Sequence, residues 1–323
     1  MSETNYIRKV AVVGANGTVG KHIVQALLNG GKHEVTAITR GEAEVPKGVK
    51  VAKVSYDDPA SLTKALEGQD VLIITLSTRA PQETQGKLIE AAAAANVPFV
   101  FPNGWGIEST REGLGTDTLL GPAALAAKKK IEDLGKSSWI FVTTGFWYTH
   151  SLATAEAYGF DFNTKTVTFF DQGTVKINNI TFEKSGEAVA ALLSLPIKSE
   201  APNQLSLSDY KNKDVFVSSW LLSQKDIFQQ VLRVSGDKES DWTIKYEPGV
   251  PRYEEAKKQV FSGNLAAYPR LLYTRAFYDN GDGDFETRNG LDNDKLGLSK
   301  DTQETLDAKT KFAIELATSG YKY

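Results

Sequence analysis

Three glycines in the stretch VAVVGANGTVGKHIVQALL, Gly14, Gly17 and Gly20, have the spacing and setting to hold a nucleotide diphosphate. The first lets the backbone bend sharply. The second lets it approach a pyrophosphate with no side chain between, and the third lets a helix pack closely on a strand. Peptide N–H groups at the helix start then supply hydrogen bonds to phosphate. The spacing alone recurs by chance, so the context decides. Val10 to Val13 form an apolar run of strand length, and Val19, Ile23, Ala26 and Leu27 recur on one helical face after the turn. A second strand, EVTAIT, follows and ends in Arg40, where an acidic residue would accept hydrogen bonds from the ribose hydroxyls of NAD. A guanidinium there suits a 2′-phosphate, which makes NADP(H) the expected cofactor.

Other residues with chemical potential lie in the loops that follow later strands. PNGWGIE carries Asn103 and Trp105, and TGFWYTH carries Phe146, Trp147, Tyr148 and His150. Aromatic walls of this kind suit a planar substrate, or pack the sheet against a second lobe. Tyr148 or His150 would supply a proton. The tyrosine four residues before a lysine that serves short-chain dehydrogenases is missing, since no tyrosine lies between Tyr56 and Tyr148. What remains is the helix GPAALAAKKKIEDLG. Ala124, Ala127, Ile131 and Leu134 define its inward side, so Lys129 points away while Lys128 and Lys130 both flank the apolar stripe.

The elements that must position these residues alternate along the first half. After Arg40 come VKVAKV from Val49, a helix from Pro59 to Leu66, DVLIITL from Asp70 to Leu76, and a helix from Gln82 to Ala95. FVF at Phe99, a helix from Pro122 stopped by Gly135, and WIFVTT from Trp139 to Thr144 complete the series. Six strands with intervening helices predict an α/β fold, a Rossmann-type doubly wound parallel sheet with ligands at the strands' carboxyl ends. Beyond residue 150 the alternation breaks. TVTFFDQGTVKINNITF reads as an antiparallel hairpin turning at Asp171 to Gly173. Helices are expected at Gly186 to Leu195, Ser223 to Val234, Arg252 to Phe261 and Lys300 to Ser319, with DVFVSS as one more strand. Residues 1–150 are thus expected to bind the nucleotide. Residues 151–323 would form a smaller, partly intertwined α+β lobe, with some segments returning to the sheet.

Composition excludes several function classes. A formal net charge of −3 with scattered basic residues gives no footprint for nucleic acid or an anionic membrane. The absence of cysteine removes disulfides, thiolate zinc sites and a cysteine nucleophile, and with only His22, His33 and His150 no metal centre is expected. No apolar run is long enough to span a bilayer, and MSETNYIRK lacks the apolar segment of a signal peptide, so a cytoplasmic location is expected. There is no G-x-S-x-G elbow. The acidic stretch DNGDGDFE, Asp279 to Glu286, reads as a polar loop rather than a calcium loop. A calcium loop beginning at Asp282 would need glycine where Thr287 stands.

Taken together, GANGTVG, Arg40, FPNGWGIE and the lysine helix followed by TTGF resemble the NmrA-like family of atypical short-chain dehydrogenases/reductases, to which the isoflavone-reductase-like proteins are allied. VSSWLLSQKDIFQQVLRVSGDKESDWTI and NGDGDFETRNGLDNDKLGL resemble the C-terminal half of fungal oxidoreductases in that family, so the likeness runs over nearly the whole chain. It implies an NADP(H)-binding Rossmann domain, a substrate lobe and a cleft between them. By this likeness Gly14, Asn16, Gly17, Thr18 and Val19 form the phosphate turn and Arg40 contacts the 2′-phosphate. Leu76, Ser77 and Thr78 lie along the cofactor, and Asn103 and Trp105 approach the nicotinamide. Lys128 matches the lysine before the family's isoleucine-glutamate pair, here Ile131 and Glu132, although Ala124 stands where plant isoflavone-type reductases carry theirs.

The implied activity is NADPH-dependent reduction of a small aromatic or conjugated carbonyl or alkene. Trp105, Phe146, Trp147 and Tyr148 would line the substrate, and Lys128 would hold the ribose and stabilise charge on the substrate oxygen. Two other readings use the same turn. One is an NADP(H) sensor that binds a protein partner without turnover, and the other is a biosynthetic enzyme that catalyses a non-redox rearrangement.

Overall fold

The computed structural model describes residues 5–41, 44–77, 80–81, 83–299 and 301–320. The first half runs β1 (Lys9–Val13), α1 (Gly20–Gly30), β2 (Glu34–Thr39), β3 (Lys50–Lys53), α2 (Pro59–Leu66) and β4 (Val71–Ile74). It continues through α3 (Thr84–Ala94), β5 (Phe99–Phe101), α4 (Leu114–Asp117), α5 (Gly121–Leu134) and β6 (Ser138–Thr143). Local signals set several of these limits. Asp58 caps α2 by accepting from the Ala60 amide at 3.0 Å, with Pro59 in the first turn. Gly31 and Gly135 end α1 and α5 in the left-handed conformation.

The second half supplies β7 (Phe146–Trp147), α6 (Tyr148–Leu152), α7 (Ala155–Tyr158), β8 (Phe160–Asp161), β9 (Thr166–Phe170), β10 (Lys176–Ile180) and α8 (Phe182–Ser194). After these come β11 (Lys213–Phe216), β12 (Trp220–Ser223), α9 (Gln224–Ser235), β13 (Thr243–Glu247), α10 (Gly249–Phe261), α11 (Tyr268–Ala276), α12 (Phe285–Asn289) and α13 (Gln303–Thr318).

The main sheet is parallel throughout, in the order β11-β6-β5-β4-β1-β2-β3. Its central strands are buried on both faces, as their unbroken apolar runs require. On one face Val10 and Val12 pack with Val19, with Ile23 of α1 and with Val189 and Leu192 of α8. On the other, Ala11, Val13 and Leu72 pack with Leu62 of α2, Leu88 of α3 and Ile131 of α5. The doubly wound α/β architecture is therefore present, with seven strands rather than six. The seventh, β11, comes from DVFVSS and pairs with β6 from Lys213↔Ile140 to Phe216↔Thr143. A second core, rich in Phe, Tyr and Trp, lies among the later elements.

The hairpin expected at Asp171 to Gly173 does not form. β9 pairs with β8 and β13, whereas β10 pairs with β7 and β12. Asp171 and Gly173 have positive φ, but they redirect the chain instead of folding it back. The Asp171 amide continues the β13 ladder by donating to the Glu247 carbonyl at 2.9 Å, and its carboxylate accepts from the Gly249 amide at 3.0 Å. Among the helices, α8 starts at Phe182, four residues before the expected Gly186, because Thr181 caps it through the Lys184 amide. α11 was not foreseen from the sequence pattern.

Two helices from opposite halves of the chain cross at Gly186. A Cβ there would lie 2.3 Å from the His22 carbonyl oxygen of α1. Replacing Gly186 by alanine must push α1 and α8 apart and should destabilise the fold by about 2 kcal/mol, read as a lower urea midpoint at constant slope.

Candidate cofactor and active site

The turn after β1 is built by backbone crowding. Gly14 has φ +78°, and a Cβ on it would lie 2.1 Å from the Thr75 carbonyl oxygen at the end of β4. A Cβ on Gly20 would lie 2.1 Å from the Gly14 carbonyl oxygen. The Thr75 hydroxyl fixes the junction by donating to the Val13 carbonyl at 2.7 Å. Gly17 closes the turn, its amide donating to the Gly14 carbonyl at 2.8 Å. Asn16, Gly17 and Thr18 are exposed while Val19 is buried, so a bare peptide surface faces outward and an apolar anchor holds it from behind. Val19 offers α1 no side-chain cap, and the Lys21 and His22 amides donate to the Gly17 and Val19 carbonyls at 3.0 and 3.1 Å, so the N–H groups that can meet an anion are those just before them, from Thr18 to Gly20. Asn16 donates to the Glu44 carbonyl and ties the turn to the segment after β2. These features fit a nucleotide diphosphate.

Arg40 stands exposed beyond β2, its guanidinium carbon 5.5 Å from the centroid of Tyr56, which follows β3. Burial raises the Tyr56 phenol pKa, and the nearby Arg40 charge opposes the rise. At the end of β4, Leu76 is half-buried and Ser77 exposed, while Thr78 lies outside the described residues. Asn103, beyond β5, is placed as a brace. Its Oδ1 accepts from the Leu76 amide at 3.1 Å, its Nδ2 donates to the Leu76 carbonyl at 3.4 Å, and its own amide donates to Gln85 Oε1 at 2.6 Å.

The four expected aromatic walls divide between the two cores, Trp105 and Trp147 with the first and Phe146 and Tyr148 with the second. Trp105 is buried in the first core, its indole N–H donating to the Ile74 carbonyl at 2.8 Å. Phe146 is buried in the second core, stacked on Tyr273 with centroids 4.2 Å apart. Tyr148 is fully buried with its hydroxyl 2.8 Å from that of Thr310, and Trp147 leans on Phe182 of α8. Packing therefore claims Trp105, Phe146 and Tyr148, because a large ring gains more from the core than from a solvated loop. Tyr148 and His150 are the expected proton donors. Burial pushes the Tyr148 phenol far above its usual range against the opposing Thr310 hydrogen bond, and desolvation lowers His150 to about 4, leaving its imidazole neutral near pH 7.

The three lysines of α5 separate clearly. Lys129 pairs with Asp133 and Lys130 with Glu90, both on the surface. Lys128 is nine-tenths buried, with Nζ 2.9 and 3.0 Å from the two Asp214 oxygens, 3.3 Å from Thr110 Oγ1, and 4.3 Å from the centroids of both Trp139 and Phe141. Burial raises the Asp214 pKa, and Lys128 opposes that rise. Sequence reasoning missed Asp214, Tyr56 and Thr75. Asp214 carries no local signal, since it meets Lys128 only because β11 returns to the sheet 86 residues later. Among the described residues there is no cluster of metal-binding side chains, and no helix is long and apolar enough to cross a membrane.

Removing one member of the Lys128–Asp214 pair leaves a buried charge without its partner. Lys128→Met should cost about 3 kcal/mol, and the double variant Lys128→Met/Asp214→Leu should recover most of it, as measured by a double-mutant cycle in urea.

Comparison with known proteins agrees with this geometry. A family model described as NAD(P)H-binding matches residues 14–150. Oxidoreductase aprR of Aspergillus flavus is 27% identical over 273 residues, covering 82% of this chain and 85% of that protein. A solved structure from work on pinoresinol-lariciresinol and phenylcoumaran benzylic ether reductases superposes with a TM-score of 0.73 at 18% identity, covering 92% of this chain and 98% of that one. The NADPH-dependent quinone oxidoreductase of Escherichia coli, solved with NADPH, gives 0.63 at 19% identity, with coverage of 93% and 99%. Residues 14–150 thus match an NAD(P)H-binding family, and the chain as a whole has the fold of the solved isoflavone reductase and of the structure from work on pinoresinol-lariciresinol and phenylcoumaran benzylic ether reductases.

Proposed function

We propose that the protein is an NADPH-dependent reductase of a small aromatic or conjugated carbonyl or alkene. The observation that carries this reading is the turn from Gly14 to Gly20, where Gly14 and Gly20 leave no room for a Cβ atom and the peptide surface from Asn16 to Thr18 is exposed just before α1. The names of the relatives, an oxidoreductase, pinoresinol-lariciresinol and phenylcoumaran benzylic ether reductases and a quinone oxidoreductase, support the reaction class. Gly14, Asn16, Gly17, Thr18 and Val19 would hold the diphosphate, and Arg40 beside Tyr56 would take the 2′-phosphate. Leu76, Ser77 and Thr78 would run beside the cofactor. When bound, NADPH supplies a hydride.

The chain's own contribution is charge and position. Lys128, desolvated by Trp139 and Phe141, supplies a fixed positive charge where a substrate oxygen gains electrons, and a preorganised cation is worth most in such a dry setting. Asp214 and Thr110 hold its ammonium group in place. Asn103 acts indirectly, by bracing the loops after β4 and β5.

A second reading, a cofactor sensor without turnover, gains support from the burial of Tyr148 and the neutral state of His150. The two readings separate on a panel of quinones, enones and aldehydes. The reductase oxidises NADPH with at least one of them, and a protein that binds NADPH yet stays inert across the panel is the sensor. Within the reductase reading, Lys128→Met/Asp214→Leu should lower turnover by about 10²-fold or more while NADPH affinity stays nearly constant. Equal losses in both would make Lys128 a binding residue only.

Arg40→Ala should weaken NADPH binding by about 10- to 100-fold, the worth of a charge-assisted hydrogen bond, and leave NADH binding unchanged. Calorimetry that finds the two cofactors equally tight in the unaltered protein would remove the 2′-phosphate assignment.

A further inference from the structure

The acidic loop at Asp279 to Glu286, set aside above as merely polar, contains a carboxylate placed for a specific task. Asp282 is nearly inaccessible, with Oδ1 accepting from Arg111 Nε at 2.5 Å and Oδ2 accepting from Arg275 at 2.8 Å and from Asn280 at 2.9 Å. Burial alone would raise its pKa, but the two guanidinium groups outweigh burial and hold it below the usual carboxylate range. Its backbone is rigidly seated. The Gly283 carbonyl accepts from the Asn178 amide of β10 at 3.0 Å, and a Cβ on Gly283 would lie 2.4 Å from an Ile177 methyl carbon.

Arg111 belongs to the segment between β5 and α5, and that segment is held by the later part of the chain along its length. Arg288 and Asn289 bind Glu108, and Arg275 donates to Asp117 at 2.6 Å. The hydroxyls of Tyr253 and Tyr268 donate to the Asp117 and Thr118 carbonyls at 3.0 and 2.9 Å. In the middle of the segment, next to Arg111, Thr110 accepts from Lys128 Nζ.

We infer that Asp282 is a positioning residue that, through Arg111 and Arg275, anchors the 107–117 segment over Lys128. The inference rests on the reductase reading for its catalytic consequence, and on the geometry alone for the anchoring. Asp282→Asn keeps the shape and removes the charge that both arginines face. The anchored segment then opens locally, while α8 with its Lys184, which makes no contact with this carboxylate, stays closed.

The test is acylation of lysines by acetic anhydride, followed by mass spectrometry on the full chain with Lys184 as internal reference. Lys184 is as buried as Lys128, on α8. Asp282→Asn and Arg111→Met should each speed labelling of Lys128 by at least about tenfold, with Lys184 unchanged, whereas Arg111→Lys should keep Lys128 protected. NADPH affinity should hold, and kcat/KM for the reduced acceptor should fall by about tenfold. Lys128 staying protected in both variants overturns the inference, as does Lys184 opening in step with it. An unaltered protein that reduces no acceptor removes the reductase reading, and the labelling ratio still decides the anchoring.

Discussion

The junction of β1, α1 and β4 is set by what cannot fit there. Gly14 and Gly20 approach backbone atoms so closely that a single methyl group on either would overlap a carbonyl oxygen, and the Thr75 hydroxyl bonds the ends of β1 and β4 together. Two strands and a helix therefore meet at a spacing that only glycine permits. Because every strand of the main sheet is parallel, this junction shares its edge with the carboxyl ends of β2, β5 and β6. Arg40, Leu76 and Asn103 reach that edge as a consequence of strand direction, and Asn103 and Gln85 then hold the neighbouring loops to one another.

The second half of the chain does not hang from this sheet as an appendage. It contributes β11 to one edge and α8 to one face, and it brings Asp214 to Lys128. An ion pair of this kind adds little net stability compared with well-packed apolar groups, yet a lone charge in the same place is costly. The Lys128–Asp214 pair therefore works chiefly against misplacement, since any register that separates β11 from β6 strands a buried charge. The aromatic second core acts in the same direction. Phe146, directly after β6, packs on Tyr273 of α11, so the end of the main sheet and the later lobe share one hydrophobic body.

What the sequence disclosed follows the range of the interactions involved. The glycine turn, the Gly135 stop and the alternating strands were legible because each is specified by neighbours in the chain. The pairing of β9 was not, since Asp171 and Gly173 have the turn chemistry of a hairpin and only the distant β13 decides otherwise. Helical phase left Lys128 and Lys130 equivalent. The family likeness favoured Lys128, but the ion pair with a residue on the returning strand is what buries it. The burial of Phe146 and Tyr148 was hidden for a related reason, as composition gives no sign of which side a ring will face once later elements cover it.

The same burial bears on the chemistry. With burial holding the Tyr148 phenol pKa up and His150 neutral, both of the expected side chains are weak acids as hydride arrives. On the reductase reading, that favours acceptors whose reduced form is a stabilised, weakly basic anion. A quinone or an enone spreads the incoming charge over its conjugated system, needs only a fixed cation nearby, and can collect its proton from water afterwards. A simple ketone would develop a strongly basic alkoxide and would need its proton almost in step with the hydride. A buried lysine braced by a carboxylate and a threonine hydroxyl supplies such a cation.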